Sequence, residues 1–218
     1  MNPLRRWLKS LYGQHGRQPV LVKALSERDR ARVLRHFMAL DSSDRLLRFG
    51  SMLPDEQLAA YVAKLDFRND IVFGVHNRLF QLVGVGHLAF ISKEAHPDSI
   101  HYTDKEKVAE FGVSVAKSAS GQGVGTRLFE RAAIHCRNVD VDTLYMQCLS
   151  SNRTMMHIAK KAGMEIKREY GEADAHLHLP PPSPSSVLAE ALEEQMAKID
   201  YTVKANARAA FRLFMPKK

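Results

Sequence analysis

Apolar residues recur along this chain with two periods, and the switches between them mark its elements. Val20-Leu21-Val22-Lys23-Ala24-Leu25 reads as a first strand. Ser26 and Asp29 then make a capping arrangement ahead of a helix whose Val33, Leu34, Phe37 and Met38 share one face. Ser43 is expected to cap a short helical turn carrying Leu46, Leu47 and Phe49. Pro54, with Asp55 and Glu56 behind it, opens another helix with Leu58, Tyr61, Val62 and Leu65 on one side. Strand patterning returns at Ile71 to Val75 and Leu79 to Ile91, joined by the turn signal His76-Asn77-Arg78. The polar segment 92–105 reads as a loop. Glu110-Phe111-Gly112-Val113-Ser114-Val115 and Thr143 to Leu149 are further strands, and Met164 to Tyr170 with Ala173 to Leu179 make a hairpin around Gly171.

Two stretches stand apart. Leu4, Trp7, Leu8 and Leu11 fall at i, i+3, i+4 and i+7, a short amphipathic helix with basic edges. Pro180-Pro181-Pro182-Ser183-Pro184-Ser185-Ser186 is a stiff, extended linker. Beyond it, Val187, Leu188, Ala191, Leu192, Met196, Ile199 and Val203 form a helical stripe. The expected layout is a basic arm over 1–19, a domain over 20–179, a linker over 180–186 and an amphipathic helical tail over 187–218. A helix with one apolar stripe does not stay alone in water. It docks on its own domain or on a second copy, and the reach of the linker favours a homodimer or partner contact.

The chemistry gathers at one place. Ser120-Gly121-Gln122-Gly123-Val124-Gly125-Thr126 is a glycine-rich turn opening directly into the helical run from Arg127. Glycines at alternate positions let backbone N–H groups crowd onto one point, where the new helix adds its positive end. That is a cradle for a phosphate or pyrophosphate. A P-loop is excluded, because no Gly-Lys-Ser/Thr closes the turn. A dinucleotide fingerprint is nearly matched by Gly121-x-Gly123-x-x-Thr126, but Asp140 and Asp142 precede the next strand instead of ending it. A tight strand-to-helix turn with no ligand is the plainer alternative. Glu110, on the strand leading in, adds a carboxylate beside the cradle. A base beside an anion-binding turn suggests group transfer from a phosphate-bearing cofactor.

Ala109 to Val115, the turn from Ser120 to Thr126, and Asn152-Arg153-Thr154-Met155-Met156-His157-Ile158-Ala159-Lys160-Lys161-Ala162-Gly163-Met164 resemble, in order and spacing, three motifs of the GNAT superfamily of acetyl-CoA-dependent N-acetyltransferases. The resemblance runs over roughly residues 20 to 179. It implies an α/β (α+β) fold, a mixed and mostly antiparallel central sheet flanked by helices, with the C-terminal helix appended. It implies an acyltransferase that moves the acetyl group of acetyl-CoA to a primary amine, of a small molecule or of a protein lysine or N-terminus. Glu110 stands where the family keeps its catalytic base. Val113, Ser114 and Val115 stand where it binds the pantetheine arm. The Val113 N–H would serve as an oxyanion donor if the strand parts from its neighbour there, and a bulge at Gly112 is expected to part it. Ser120, Gly121, Gln122, Gly123, Val124, Gly125 and Thr126 stand at its pyrophosphate loop, and Asn152 at its second cofactor motif. Asn152 equally suits a helix cap. The segment Asp44 to Phe49 is similar to one in protein-lysine acetyltransferases of the bacterial Pat type. Two positions depart from the pattern: Ser120 replaces the usual Arg or Gln, and Ala159 replaces a tyrosine that often serves as general acid. The missing tyrosine leaves room for a non-catalytic acyl-CoA-binding or partner-binding module on the same fold.

Composition narrows the classes. The net charge is +8, but the two ends carry nine basic residues and no acid, so the middle is about neutral. No nucleic-acid module accompanies that charge, and no nucleic-acid partner is expected. No run approaches the ~18 apolar residues of a membrane span. Cys136 and Cys148 lack metal-ligand spacing and read as reduced, buried thiols of a cytoplasmic protein. The ten histidines include His176 and His178 on one strand face, without a His-Glu-x-x-His or a Cys pair, and no metal is expected.

Overall fold

The computed structural model describes residues 19–91 and 106–214, so the amphipathic arm and the loop 92–105 lie outside the described residues. Strand β1 (Lys23–Ala24) keeps only the end of the expected first run in the sheet. The Ser26–Asp29 arrangement caps the next turn: Asp29 Oδ2 accepts from the Ser26 N–H at 3.2 Å and from its hydroxyl at 3.3 Å. Helices α1 (Arg30–Met38), α2 (Ser42–Phe49) and α3 (Asp55–Lys64) follow. The cap of α2 is Asp41 and not Ser43, because its carboxylate reaches the Asp44 N–H at 2.8 Å. Then come β2 (Ile71–His76), β3 (Leu82–Ile91) and β4 (Val108–Val115). Strand β3 starts three residues later than expected, because the Asn77 side chain gathers the N–H groups of Leu79 and Gln81 into a turn. Helix α4 (Val124–Asn138), β5 (Thr143–Leu149), α5 (Arg153–Ala162), β6 (Glu165–Glu169), β7 (Glu172–His178) and α6 (Pro184–Phe214) complete the order.

The described strands form one mixed sheet ordered β1-β2-β3-β4-β5-β7-β6, antiparallel throughout except for the β4–β5 pair. Alternation along each strand gives the sheet two apolar faces. On one, Ala109, Phe111 and Val113 of β4 pack with Leu128 and Ala132 of α4 and with Ile158 of α5. On the other, Val72 and Val85 pack with Val33 and Phe37 of α1 and with Leu58 and Val62 of α3. Cross-strand register puts Glu110, Gly112 and Ser114 on this second face, beside Ala89, His87 and Val85.

Helix α6 lies on its own domain, and by an unexpected face. Of the expected docking stripe, Val187, Leu188, Leu192, Ile199 and Val203 are at least half exposed, Ala191 is exposed as well, and only Met196 is half-buried. The face turned inward carries Ala189, Glu193 and Ala197. Its contact is ionic: Arg127 meets Glu193 at 2.9 Å, and Arg131 meets Glu190 at 2.6 Å and Glu194 at 3.2 Å. Further along, Lys204 donates to the His76 carbonyl and Arg208 to that of Phe80, each at 3.0 Å. Part of the basic C-terminal charge therefore satisfies turn carbonyls of β2–β3. Among the described residues no helix is long and apolar enough to cross a membrane.

Candidate functional site

The glycine turn folds as its composition dictates. Gly121 (φ 69°) and Gly123 (φ 80°) are left-handed, and Gly123 caps α4. Open space surrounds both α-carbons where a Cβ would project. The turn needs glycine for its conformation, and that open space is where a ligand phosphate would lie. Residues 119–127 line a cleft of about 410 Å³ together with Thr154, His157, Ile158 and Lys161 of α5 and Pro19 and Val20 of the incoming chain. Arg127, at the edge of this cleft, is committed to Glu130 at 2.7 Å and to the buried Glu193.

Strand β4 leads from this cleft to a second one. It pairs with β5 only over Val108–Glu110, against Thr143–Tyr145. Beyond Glu110 the two strands part. Odd residues of β4 turn their polar groups towards β5, as the bond from the Thr143 N–H to the Lys107 carbonyl shows, while the Ala116 N–H turns to Val83 on the other side. The Val113 N–H therefore points into the opening. The expectation that Gly112 would bulge to free it is not met, since β4 pairs with β3 in unbroken register from Val108 to Val115. Parting of the strands does the work instead. Glu110, Gly112, Val113, Gln147, Met155 and Glu172 border the second cleft, of about 250 Å³, together with Leu47 and Arg48 of α2. Glu110 is exposed there, with no ion-pair partner among the described residues.

Gly112 has another role. A Cβ on it would lie 2.5 Å from Arg48 Nη2, so the missing side chain makes room for a guanidinium. Arg48 Nη2 donates to Tyr61 Oη at 3.1 Å, Tyr61 Oη lies 3.1 Å from His87 Nδ1, and His87 Nε2 lies 3.0 Å from Asp70 Oδ2. One order satisfies every member: Arg48 to Tyr61, Tyr61 to His87, His87 to Asp70.

The structure thus divides the expected residues between two clefts joined by β4. Val115 and Ser120 to Thr126 border the first; Glu110 and Val113 border the second. Two side chains are used inside the protein. Ser114 is buried, its hydroxyl 2.8 Å from His36 Nε2, and burial lowers the His36 pKa to about 4. Asn152 is buried, accepts from the Met155 N–H at 3.1 Å as a cap and donates to the Leu47 carbonyl at 3.3 Å. Ala159 is packed in the core. Tyr145, at the Glu110 register position, gives its hydroxyl to Asp174 at 2.6 Å, whereas Tyr170 stands in water. Thr154, His157 and Lys161 lie in the third motif of the sequence, where only Asn152 is singled out, though their i, i+3, i+7 spacing puts them on one helix face. Arg48 lies in the Asp44 to Phe49 segment, and nothing local distinguishes it there from Arg45.

A family model described as an acetyltransferase (GNAT) domain matches residues 20–165. No protein of curated function matches the sequence. Among solved structures, the GNAT domain of S. lividans PAT is 18% identical, with 72% of this chain and 89% of that one covered at a TM-score of 0.58. The ribosomal-protein-alanine N-acetyltransferase from Brucella melitensis is 15% identical, covering 73% of this chain and 100% of its own, at 0.55. YncA of Salmonella typhimurium, solved with its cofactor acetyl-CoA, is 12% identical, covering 76% and 97%, at 0.54.

Proposed function

Because this chain belongs to the GNAT acetyltransferase domain family, an acyltransferase family that draws on acetyl-CoA, we propose that it acetylates a primary amine by direct attack on the thioester. The parting of β4 from β5 beyond Glu110 carries this reading, because it opens one strand's free N–H beside an exposed carboxylate. The glycine turn and the start of α4 would hold the pyrophosphate, with Val115 and the α5 face bordering the same cleft. Acetyl-CoA supplies the activated carbonyl and a thiol leaving group.

An alkylammonium with a pKa of ~10.4 is neutral in only about one molecule in a few thousand at pH 7. Glu110 takes its proton, directly or through one water. The Val113 N–H donates to the carbonyl oxygen as that atom gains charge. The C–N bond forms as the C–S bond breaks, and the nitrogen gives its remaining surplus proton to water. The coenzyme leaves as a thiolate and is protonated by water. With a thiol pKa near ~8.5 the thiolate departs without a general acid, which fits an alanine at position 159.

Two narrower readings accompany this one. The exposed stripe of α6 is a contact for a second copy of the chain, and a full-length protein that stays monomeric at high concentration in light scattering rules that out. The unpaired thiols suit a reducing, cytoplasmic compartment; burial holds Cys136 up at about 12. The base is tested by Glu110→Gln, which should cut turnover by ~10²–10⁴ while acetyl-CoA affinity, read by calorimetry, is kept. A loss under about threefold places the base elsewhere. Gly123→Glu should weaken acetyl-CoA binding by more than about tenfold, and unchanged affinity dismisses the cradle.

A further inference from the structure

Arg48 stands over β4 beside Glu110, yet its only polar partner among the described residues is the Tyr61 hydroxyl. No carboxylate lies within ion-pair distance of it among them. Its neighbours hold it in place. The guanidinium lies 4.9 Å from the Phe49 ring centroid and 5.9 Å from that of Tyr61. Tyr61 is fixed in turn by His87 and Asp70. The helix carrying Arg48 is clamped at both ends. Asp41 caps it and pairs with Lys117, while Arg45 reaches the Leu40 and Leu53 carbonyls, each at 3.0 Å, and that of Met38 at 3.1 Å. This half-buried guanidinium, held by one neutral hydroxyl and two aromatic rings, lines the same cleft as Glu110. It matches a planar carboxylate.

Resting on the acetyl-transfer reading, we propose that Arg48 binds the carboxylate of the acceptor, and that the acceptor is a short aminocarboxylate of the α-amino-acid kind. Glu110 and the guanidinium over Gly112 border one cleft, two residues apart along one face of β4. An acceptor that meets both groups at once carries its carboxylate close to its amine, as an α-amino acid does. A protein lysine has no free carboxylate near its amine, and neither does the N-terminus of a long peptide. Tyr61 is a positioning residue, acting through Arg48.

The test compares L-alanine and L-methionine with their carboxamides and with a lysine peptide, following free thiol release from acetyl-CoA by the full-length protein. Removing the carboxylate lowers the amine's pKa, so the amides carry more free amine at pH 7 and the comparison is biased against the proposal. The wild type should nevertheless prefer the acids by about ten- to a hundredfold in kcat/KM, the scale of a charge-assisted pair. Arg48→Met should bring that ratio to near one, and Tyr61→Phe should raise KM for the acids more than it lowers kcat. Gly112→Ala, which displaces the guanidinium without removing it, should also lower the ratio, and serves if Arg48→Met does not fold. Amides turned over as well as acids, or a ratio that survives these variants, overturns the role of Arg48 and leaves acetyl transfer standing. Thiol release with the lysine peptide alone does the same. Acetyl-CoA binding without release on any amine removes the acetyl-transfer reading, and this inference with it.

Discussion

Helices α5 and α6 both carry apolar residues at helical spacing, yet they meet the domain by opposite kinds of face. Helix α5 buries Met155, Met156, Ile158 and Ala159 and shows the first cleft a polar edge. Helix α6 turns its small and acidic residues inward and Val187, Leu188, Leu192, Ile199 and Val203 outward. The partner surface explains the difference. Under α5 lies a sheet face of Leu144, Met146 and Ala175, which only apolar side chains satisfy. Under α6 lies the outer face of α4, where Arg127, Arg131 and His135 demand carboxylates. A stripe reports that a helix has something to bury. Which side it buries here depends on what the receiving surface has to neutralise.

Breaking the ionic contact is the strongest test of that contrast. Glu193 is 1% exposed, and losing its arginine leaves a buried charge uncompensated. Arg127→Met should cost about 3–5 kcal/mol in urea unfolding, and Arg127→Met with Glu193→Leu should recover most of it. A loss of under about 1 kcal/mol means the α4–α6 contact is solvated and the contrast false.

The pH dependence comes next, and two glutamates of α6 pull it in opposite directions. Burial pushes the Glu190 carboxyl up, but hydrogen bonds from His135, Arg131 and Asn138 outweigh it and bring the pKa from 4.5 down to about 2. Its contribution is full above pH 4.5 and is lost as pH falls through 2. Burial raises Glu193 instead, so its protonation favours the folded state as pH falls towards 4.5. Wild type should therefore exceed Glu190→Gln by about 2–3 kcal/mol at pH 7, a gap that closes between pH 4.5 and 2. A gap independent of pH shows that the carboxylate is not what docks the helix.

Smaller effects sharpen the other half of the comparison. Ile158→Val removes one methylene from the α5 seam and should cost about 0.5–1.5 kcal/mol. Ile199→Ser, on the outer face of α6 at 65% exposure, should change the stability of dilute, monomeric protein by no more than about 0.5 kcal/mol. Equal losses at the two sites place Ile199 in a core after all.

The glycine turn and the ends of α5 were legible before the fold was known, for a local reason. The left-handed turn at Gly121 and Gly123 and the helix behind it are set by neighbours in sequence, so glycine spacing exposes them. The Asn152 cap and the Gly163 terminus of α5 are local in the same sense. Arg48 was invisible because its meaning comes from residues far along the chain. Tyr61, His87 and Gly112 belong to three other elements, and only pairing β3 with β4 puts His87 beside Gly112. That the strand must part from its neighbour at Val113 was legible, but the bulge at Gly112 expected to part it was not the cause, because the parting depends on where β5 runs and not on what β4 contains.

By itself the sequence determined most of the elements and the glycine turn ahead of α4, since each rests on backbone preferences a few residues wide. The tertiary structure alone decided where β4 and β5 separate, which face of α6 turns inward, and which arginine borders the second cleft with no carboxylate beside it among the described residues. Those outcomes depend on pairing and charge balance between segments tens of residues apart, and periodicity carries no record of which distant surface a residue will meet.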